Sequence, residues 1–184
     1  MESVYYTLSV TDFGEVGIVW RSKGENPTVV RIVLVPSGKK SGDLIKCSFP
    51  GAALRYHKGI DELCRTIRRW ETEADVTFPR QILDMKLGTE FQKKVLRETM
   101  KIPRERVSTY GRLADRSQAQ GGARAVGNVM ATNPYPLFIP CHRVIRSDRT
   151  LGGFGGGLEM KKSLLRMEGV AFDARGRVYP EFIL

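Results

Sequence analysis

The residues best suited to chemistry lie in the segment 139–144, which reads Ile-Pro-Cys-His-Arg-Val. A cysteine attacks as its thiolate, and a neighbouring imidazole or cation can lower its pKa or accept its proton. Cys141 is followed directly by His142 and Arg143. Adjacent side chains of a strand point to opposite faces, so His142 reaches the sulfur only where the chain turns or a water bridges them. Most Cys-His pairs catalyse nothing, so the pair by itself leaves a structural role open.

A glycine-rich segment follows ten residues after Cys141. Residues 151–157 read Leu-Gly-Gly-Phe-Gly-Gly-Gly. Such a segment lets the backbone approach a ligand closely and present its N–H groups, although a plain flexible loop has the same composition. No Gly-Lys-Ser/Thr follows, and no alternating strand-helix unit surrounds the segment, so it is neither a P-loop nor a dinucleotide fingerprint.

The other cysteines do not form a recognisable metal motif. Cys47, His57 and Cys64 could supply three ligands, but a structural zinc site needs four, and no CxxC pair is present. We expect ordinary half-buried side chains and no metal or organic cofactor. A disulfide between Cys47 and Cys64 stays open as an alternative.

The positive charge of the chain is concentrated in its second half. The net charge is +10, yet residues 1–85 hold 12 Lys and Arg against 11 Asp and Glu, while residues 86–169 hold 16 against 7. This asymmetry favours a polyanion-binding module in the second half over a generally basic surface. No apolar run approaches the roughly 18 residues of a membrane helix. The acidic start lacks a basic and apolar leader, so we expect a cytoplasmic protein, or a nuclear one in a eukaryote.

Alternation and turn residues predict a small antiparallel sheet in the first half. The predicted elements are strands over Val4–Val10, Gly14–Trp20 and Thr28–Val35, turns at 13–14, 24–27 and 36–38, and a helix over Gly59–Glu73. The pattern breaks around Phe78-Pro79. We therefore place a domain boundary between about 76 and 88.

The second half reads as a series of short helices. They are predicted over Thr89–Met100, Thr109–Ala114, 123–133 and Leu158–Glu168, with Thr89 and Thr109 as N-caps and Gly169 as the C-terminal stop. Two of them, joined by Gly121-Gly122, form a helix-turn-helix pattern. A plain helical subdomain would give the same pattern, and the positive charge favours DNA binding.

The stretch from Val107 to Gly169 resembles the O6-alkylguanine-DNA alkyltransferases. The matching motifs, in order, are VSTYGRLA at 107–114, ARAVGN at 123–128, NPYPLFIPCHRV at 133–144, GGFGGG at 152–157 and LLRMEG at 164–169. The resemblance implies an α+β protein with a ribonuclease-H-like antiparallel sheet plus helix at 1–80. A winged helix-turn-helix domain at 88–170 and a tail at 171–184 would follow.

The resemblance also implies roles for the residues that do the chemistry. Cys141 would be the alkyl acceptor, His142 would take its proton through a water, and Glu168 would orient the imidazole. Tyr110 would donate a hydrogen bond to guanine N3, and Asn133 would tie the helix-turn-helix to the active-site segment.

Contacts with DNA and with the base follow from the same motifs. Arg124 would replace the extruded nucleotide in the base stack, where a planar cation can stack and hydrogen-bond. The small residues beside it would let its helix approach the minor groove: Ala123, Ala125 and Gly127. Backbone groups of Cys141, Val144 and Gly155 would read the guanine edge, with Phe154 beside the base. Members with Tyr-Ser at 154–155 have a hydroxyl that this chain lacks, and Asn128 replaces a glycine found in some relatives.

These expectations combine into one function. The chain would remove alkyl groups from O6-alkylguanine, and less well from O4-alkylthymine, in double-stranded DNA, as a monomer without membrane contact. A non-enzymatic damage-binding protein is the main alternative, although such proteins replace the acceptor cysteine that this chain retains. A transcription factor lacks support from an effector domain or dimerisation heptad. A cysteine hydrolase is disfavoured because His57 is the only other histidine.

Overall fold

The computed structural model describes residues 3–23, 26–35, 40–85 and 88–184. The chain divides into two compact units, Met1–Met85 and Lys86–Leu184. The turn predicted at 36–38 lies outside the described residues, as do residues 24–25 of the turn predicted at 24–27.

The first unit contains a four-stranded sheet. Its strands are β1 (Val4–Thr11), β2 (Gly14–Lys23), β3 (Asn26–Leu34) and β4 (Ala53–Leu54), in the order β3-β2-β1-β4. The first three pair antiparallel, as the alternation predicts, and β4 pairs parallel with β1. The antiparallel sheet is therefore confirmed, with one short parallel strand added.

Two helices cover this sheet. The predicted helix is present as α2 (Lys58–Thr72), and all five residues of its apolar stripe are buried: Ile60, Leu63, Cys64, Ile67 and Trp70. The other helix, α1 (Ser41–Ser48), was not predicted. It packs through Ile45 against the backbone of β2, where a Cβ added to Gly17 would lie 2.5 Å from the Ile45 side chain.

The second unit contains the four predicted helices, with ends within two residues of the prediction. They are α3 (Glu90–Thr99), α4 (Tyr110–Arg116), α5 (Ala123–Ala131) and α6 (Leu158–Met167). Thr89 forms a capping box with Gln92, and the Thr109 side chain accepts from the Arg112 N–H, so both predicted N-caps are confirmed. Gly121, with φ of 73°, lies in the turn between α4 and α5.

A parallel two-stranded ladder, not predicted, links the helices of the second unit. Strand β5 (Ser108–Thr109) pairs with β6 (Val144–Ile145) so that Ser108 faces Val144 and Thr109 faces Ile145. Beneath it lies a core of Val107, Ile145, Leu165, Val170 and Val178. The ladder brings the start of α4 and the segment after Cys141 to one edge.

The predicted mixed α+β class is confirmed. Cys47 is exposed, Cys64 is buried, and both are free cysteines. Among the described residues there is no group of three His, Cys, Asp or Glu side chains that could hold a metal ion. No helix in the described ranges is long and apolar enough to cross a membrane.

Candidate active site

Cys141 opens a single 3-10 turn that spans Cys141–Arg143. Pro140 precedes it with φ of −76°, and the Arg143 N–H donates to the Pro140 carbonyl at 2.9 Å. The Cys141 N–H donates to the carbonyl of Ile139 at 2.7 Å. The chain therefore turns at Cys141. A turn at this point is one of the two ways in which His142 was expected to reach the sulfur.

His142, Arg143 and Glu168 form a buried ionic network. The Nε2 atom of His142 lies 3.1 Å from Oε1 of Glu168, and both side chains are fully buried. The Arg143 guanidinium donates to both oxygens of the same carboxylate, from Nε to Oε2 at 2.9 Å and from Nη2 to Oε1 at 2.5 Å. Its Nη1 donates to the Ile102 carbonyl at 2.6 Å. The carboxylate is thus fixed from two sides, as in an orienting residue of a catalytic relay.

The electrostatics of this network produce a neutral base beside an ionised carboxylate. Burial lowers the pKa of His142 more than the Glu168 carboxylate raises it. Burial would raise the pKa of Glu168, but His142 and Arg143 outweigh it and lower that pKa to about 2. His142 is therefore able to accept a proton, and Glu168 would stabilise the imidazolium that results.

The Cys141 thiol is protonated at rest. Burial raises its pKa, while a hydrogen bond with Asn133 and the charge of Lys161 act in the opposite direction. Since only the thiolate is a strong nucleophile, reaction at this sulfur requires a base. The neutral imidazole of His142 is the next side chain along the chain.

Asn133 joins the end of α5 to the segment before the cysteine. Its Nδ2 donates to the Ile139 carbonyl at 2.9 Å, and its Oδ1 accepts from the Tyr135 N–H at 3.0 Å. The residue is buried, with 8% of its surface exposed. Between these contacts Leu137 adopts a φ of 75°, which is rare for a branched side chain and shows that the surrounding structure holds this loop in place.

Lys161 is a buried cation that the sequence reasoning missed. Its Nζ donates to the carbonyls of Val144 at 2.6 Å, Leu151 at 2.5 Å and Gly153 at 3.5 Å. Burial lowers its pKa to about 8. The ammonium ties β6 to the glycine-rich loop and lies close enough to Cys141 to favour the thiolate. A signal was present, because Lys161 precedes Leu164 and Leu165 by three and four residues on the apolar face of α6.

Cys141 lines a cavity of about 690 Å³. Seven of the predicted site residues line it: Tyr110, Ala123, Arg124, Gly127, Cys141, Phe154 and Gly155. Five predicted site residues do not line it: Ala125, Asn133, His142, Val144 and Glu168. Its size falls in the range of small-molecule pockets, so a nucleobase would fit.

The wall of the cavity contains glycines of two kinds. A Cβ at Gly152, whose φ is 67°, would lie 2.9 Å from the Tyr110 ring, so the protein itself requires glycine there. At Gly127, Gly153 and Gly155 an added Cβ would meet no atom within 4 Å. The protein's own packing does not require glycine at these three positions, which leaves room for a ligand.

Two of the predicted residues outside the cavity wall, Val144 and Ala125, differ in burial. Val144 is fully buried, its N–H donates to the Cys141 carbonyl, and its own carbonyl already accepts from Lys161, so only a second lone pair of that oxygen is available to a base. Ala125 is exposed on α5 next to Arg124 but lies outside the cavity wall. Arg143 and Arg146, which the sequence reasoning did not assign, lie in the buried network and in the cavity wall respectively.

The chain is similar to known proteins over nearly its whole length. Residues 90–170 match the family model described as 6-O-methylguanine DNA methyltransferase, DNA binding domain. The methylated-DNA–protein-cysteine methyltransferase of Methanothermobacter thermautotrophicus is 38% identical over 162 residues, which cover 88% of this chain and 83% of that protein. The Mycobacterium bovis protein of the same name is 39% identical over 119 residues, which cover 65% of this chain and 67% of that protein.

A solved structure agrees with these relatives. The crystal structure of Mycobacterium tuberculosis OGT in complex with DNA aligns with a TM-score of 0.67 at 26% identity, and covers 89% of this chain and 92% of that one. The mixed fold and these similarities place this chain in a class of DNA-repair proteins. The chain belongs to the methylated-DNA–protein-cysteine methyltransferase family.

Proposed function

We propose that this protein repairs DNA by moving the alkyl group of O6-alkylguanine irreversibly to the sulfur of Cys141. Family membership makes it a methylated-DNA–protein-cysteine methyltransferase with DNA as its partner. One observation supports the assignment of the acceptor. Of the three cysteines, all within the described ranges, Cys141 lines this base-sized cavity and is followed by a buried histidine paired with a carboxylate, whereas Cys47 and Cys64 do not line it.

The reaction is an in-line displacement at an sp³ carbon. His142 takes the thiol proton through a bridging water, and the sulfur forms a bond to the alkyl carbon. The O6–carbon bond breaks, and its electron pair goes to guanine. Glu168 stabilises the charged imidazole. The thioether that forms resists hydrolysis, so each molecule performs one repair.

Tyr110 assists the leaving group. Burial raises the pKa of its phenol, which keeps it protonated as a hydrogen-bond donor. A donor aimed at guanine N3 offsets the negative charge that develops as the alkyl group leaves. Phe154 and Gly155 line the cavity where the base would lie, and the Val144 and Cys141 backbones would read its edge. Asn133 holds the cysteine segment against the end of α5.

The helices α4 and α5 form the DNA-binding part of a winged helix-turn-helix domain at 88–170. Arg124 and Ala125 are exposed on α5, opposite the buried Val126 and Val129. With Ala123 and Gly127, they present a surface of small residues and one cation to the minor groove. Arg124 would fill the gap left by the rotated nucleotide, whose extrusion costs a few kcal/mol.

The other parts complete the proposal. The sheet with α1 and α2 corresponds to a ribonuclease-H-like domain at 1–80. Residues 171–184 form a tail that packs into the core of the second unit through Val178. Because the partner is genomic DNA, the protein would work in the cytoplasm, or in the nucleus of a eukaryote. The chemistry requires no cofactor.

The proposal is tested by incubating the protein with a duplex that contains O6-methylguanine and measuring its intact mass. We expect a gain of one methyl group per molecule, mapped to Cys141. The Cys141→Ala variant should bind the duplex with unchanged affinity and gain no mass, whereas Cys64→Ala should still be methylated. Tight binding without any mass gain by the unsubstituted protein would favour the damage-binding alternative, and a methyl group on Cys47 or Cys64 would refute the assignment.

A further inference from the structure

Arg146 lines the cavity beside Cys141 and is exposed to solvent. Over the ranges that the structure describes, its guanidinium makes no hydrogen bond or ion pair with another side chain. It nevertheless lies near the reacting groups, since its charge influences the pKa of both Tyr110 and Lys161. An exposed cation in the wall of a substrate cavity is available to an anion of the ligand.

The β5–β6 ladder determines where Arg146 lies. Thr109 and Ile145 are paired residues of two parallel strands, so the residues that follow them, Tyr110 and Arg146, leave the ladder at the same edge. Neighbouring strands are about 4.8 Å apart, which places these two residues side by side. The residue proposed to contact guanine N3 therefore has a cation next to it.

The turn after β6 holds the Arg146 backbone. Its N–H donates to the Thr150 carbonyl at 2.9 Å, and its carbonyl accepts from the Arg149 N–H at 3.0 Å. Asp148 is the one acidic residue in the described cavity wall. Its carboxylate accepts from the Thr150 N–H at 3.0 Å and from the Thr150 hydroxyl at 2.6 Å, which holds it within the turn. These hydrogen bonds lower the pKa of Asp148 most, and the charge of Arg146 lowers it further, so the carboxylate is also an electrostatic neighbour of Arg146.

We propose that Arg146 binds the phosphate of the extruded nucleotide. This inference rests on the proposed function and names the part of the substrate that the mouth of the cavity recognises. When a base enters the cavity, its sugar and phosphate stay at the rim, where Arg146 is exposed. A guanidinium donates two parallel hydrogen bonds to a phosphate, which would fix the nucleotide with its N3 edge toward Tyr110.

Three substrates separate this role from the others. They are free O6-benzylguanine, which has no phosphate, a single-stranded oligonucleotide with O6-methylguanine, and the same oligonucleotide in a duplex. Arg146→Ser should slow both DNA reactions by about tenfold, as expected for a lost hydrogen bond to a charged group. Its reaction with O6-benzylguanine should stay within about threefold of the unsubstituted protein, because the free base has no phosphate for Arg146 to bind.

A matched control removes the same charge elsewhere. Arg175 is exposed in the second unit and does not line the cavity, so Arg175→Ser should leave all three rates nearly unchanged. A further control replaces the phosphate next to the lesion with a neutral methylphosphonate. On one of the two flanking positions, this replacement should abolish the difference between Arg146→Ser and the unsubstituted protein.

The outcomes are distinct. Equal losses on all three substrates would overturn the proposal and place Arg146 in the chemistry at the base. A loss on duplex DNA alone would overturn it in favour of a role in base extrusion, and so would a difference that survives both methylphosphonates. If the unsubstituted protein transfers no alkyl group to Cys141 from any substrate, the proposed function itself is wrong.

Discussion

The buried network around Glu168 and the open wall of the cavity differ in whether their charged groups have partners within the protein. In the network, the Glu168 carboxylate meets His142 and two nitrogens of Arg143 within the protein. In the wall, Arg124 and Arg146 are exposed, and Gly127 and Gly155 leave space that no protein atom fills. The Glu168 carboxylate therefore has its partners without a ligand, whereas the cavity wall has exposed cations and open space.

This contrast separates the two contributions to catalysis. A network that is already arranged needs no reorganisation when the proton moves. In the proposed function, the cavity wall gains its contacts when DNA binds, so its residues would contribute to extrusion and recognition. Substitutions in the network should therefore lower stability and all reactivity together, while substitutions in the wall should affect reactions with DNA selectively.

The largest effect is expected from Glu168→Gln. The substitution removes the charge that balances buried Arg143, and breaking a buried pair in this way costs about 3 to 5 kcal/mol in the free energy of unfolding. Denaturant unfolding measures this loss, and the rate with free O6-benzylguanine should fall as well. Glu159→Gln, at an exposed position in the first turn of α6, should cost about 1 kcal/mol or less.

The pH dependence of stability provides an independent check on Glu168. Its pKa is lowered from 4.5 to about 2 in the folded protein. The unfolded chain therefore binds the proton first as pH falls, so the stabilisation is present above pH 4.5 and is lost toward pH 2. The shift corresponds to about 3 kcal/mol. The stability difference between the unsubstituted protein and Glu168→Gln should shrink over this window, and a constant difference would contradict the network.

Arg124→Ala should slow the reaction with duplex DNA and leave the stability of the protein nearly unchanged. The side chain is exposed, so the free energy of unfolding should change by about 0.5 kcal/mol or less. Repair of duplex DNA should slow by about tenfold or more, because the gap left by the extruded base loses its filler. Reaction with free O6-benzylguanine should change little. Rates that fall equally on both substrates would refute the extrusion role.

The elements that carry periodic patterns could be predicted from the sequence. The apolar stripe of α2 and the capping residues Thr89 and Thr109 depend on contacts within a few residues, which local spacing records. Helix α1 could not be predicted, because its eight residues include Ser, Gly and Asp and it gains its place from Ile45 packing on Gly17.

The missing parts of the site depend on contacts between distant residues. Arg143 looks like a cation for the adjacent Cys141, yet the 3-10 turn directs it to Glu168, 25 residues away. The positive φ of Leu137 and the three carbonyls around Lys161 likewise arise from tertiary packing. Cys141 and His142 were recognisable from their motif. Of the groups that shift their pKa values, Glu168 and Asn133 were recognised, whereas Lys161 was not.

The smallest effect should come from Gly127→Ala. Unlike a substitution in the network, it should raise stability while it slows the reaction with duplex DNA. Gly127 lies inside α5, where an added Cβ meets no atom within 4 Å. Alanine is favoured over glycine in a helix interior by about 1 kcal/mol, so the variant should be more stable to denaturant. Repair of duplex DNA should nevertheless become a few-fold slower, since the methyl group would lie where α5 approaches the minor groove, and reaction with free O6-benzylguanine should be unaffected. A more stable variant with an unchanged duplex rate would show that DNA does not contact α5 at this residue.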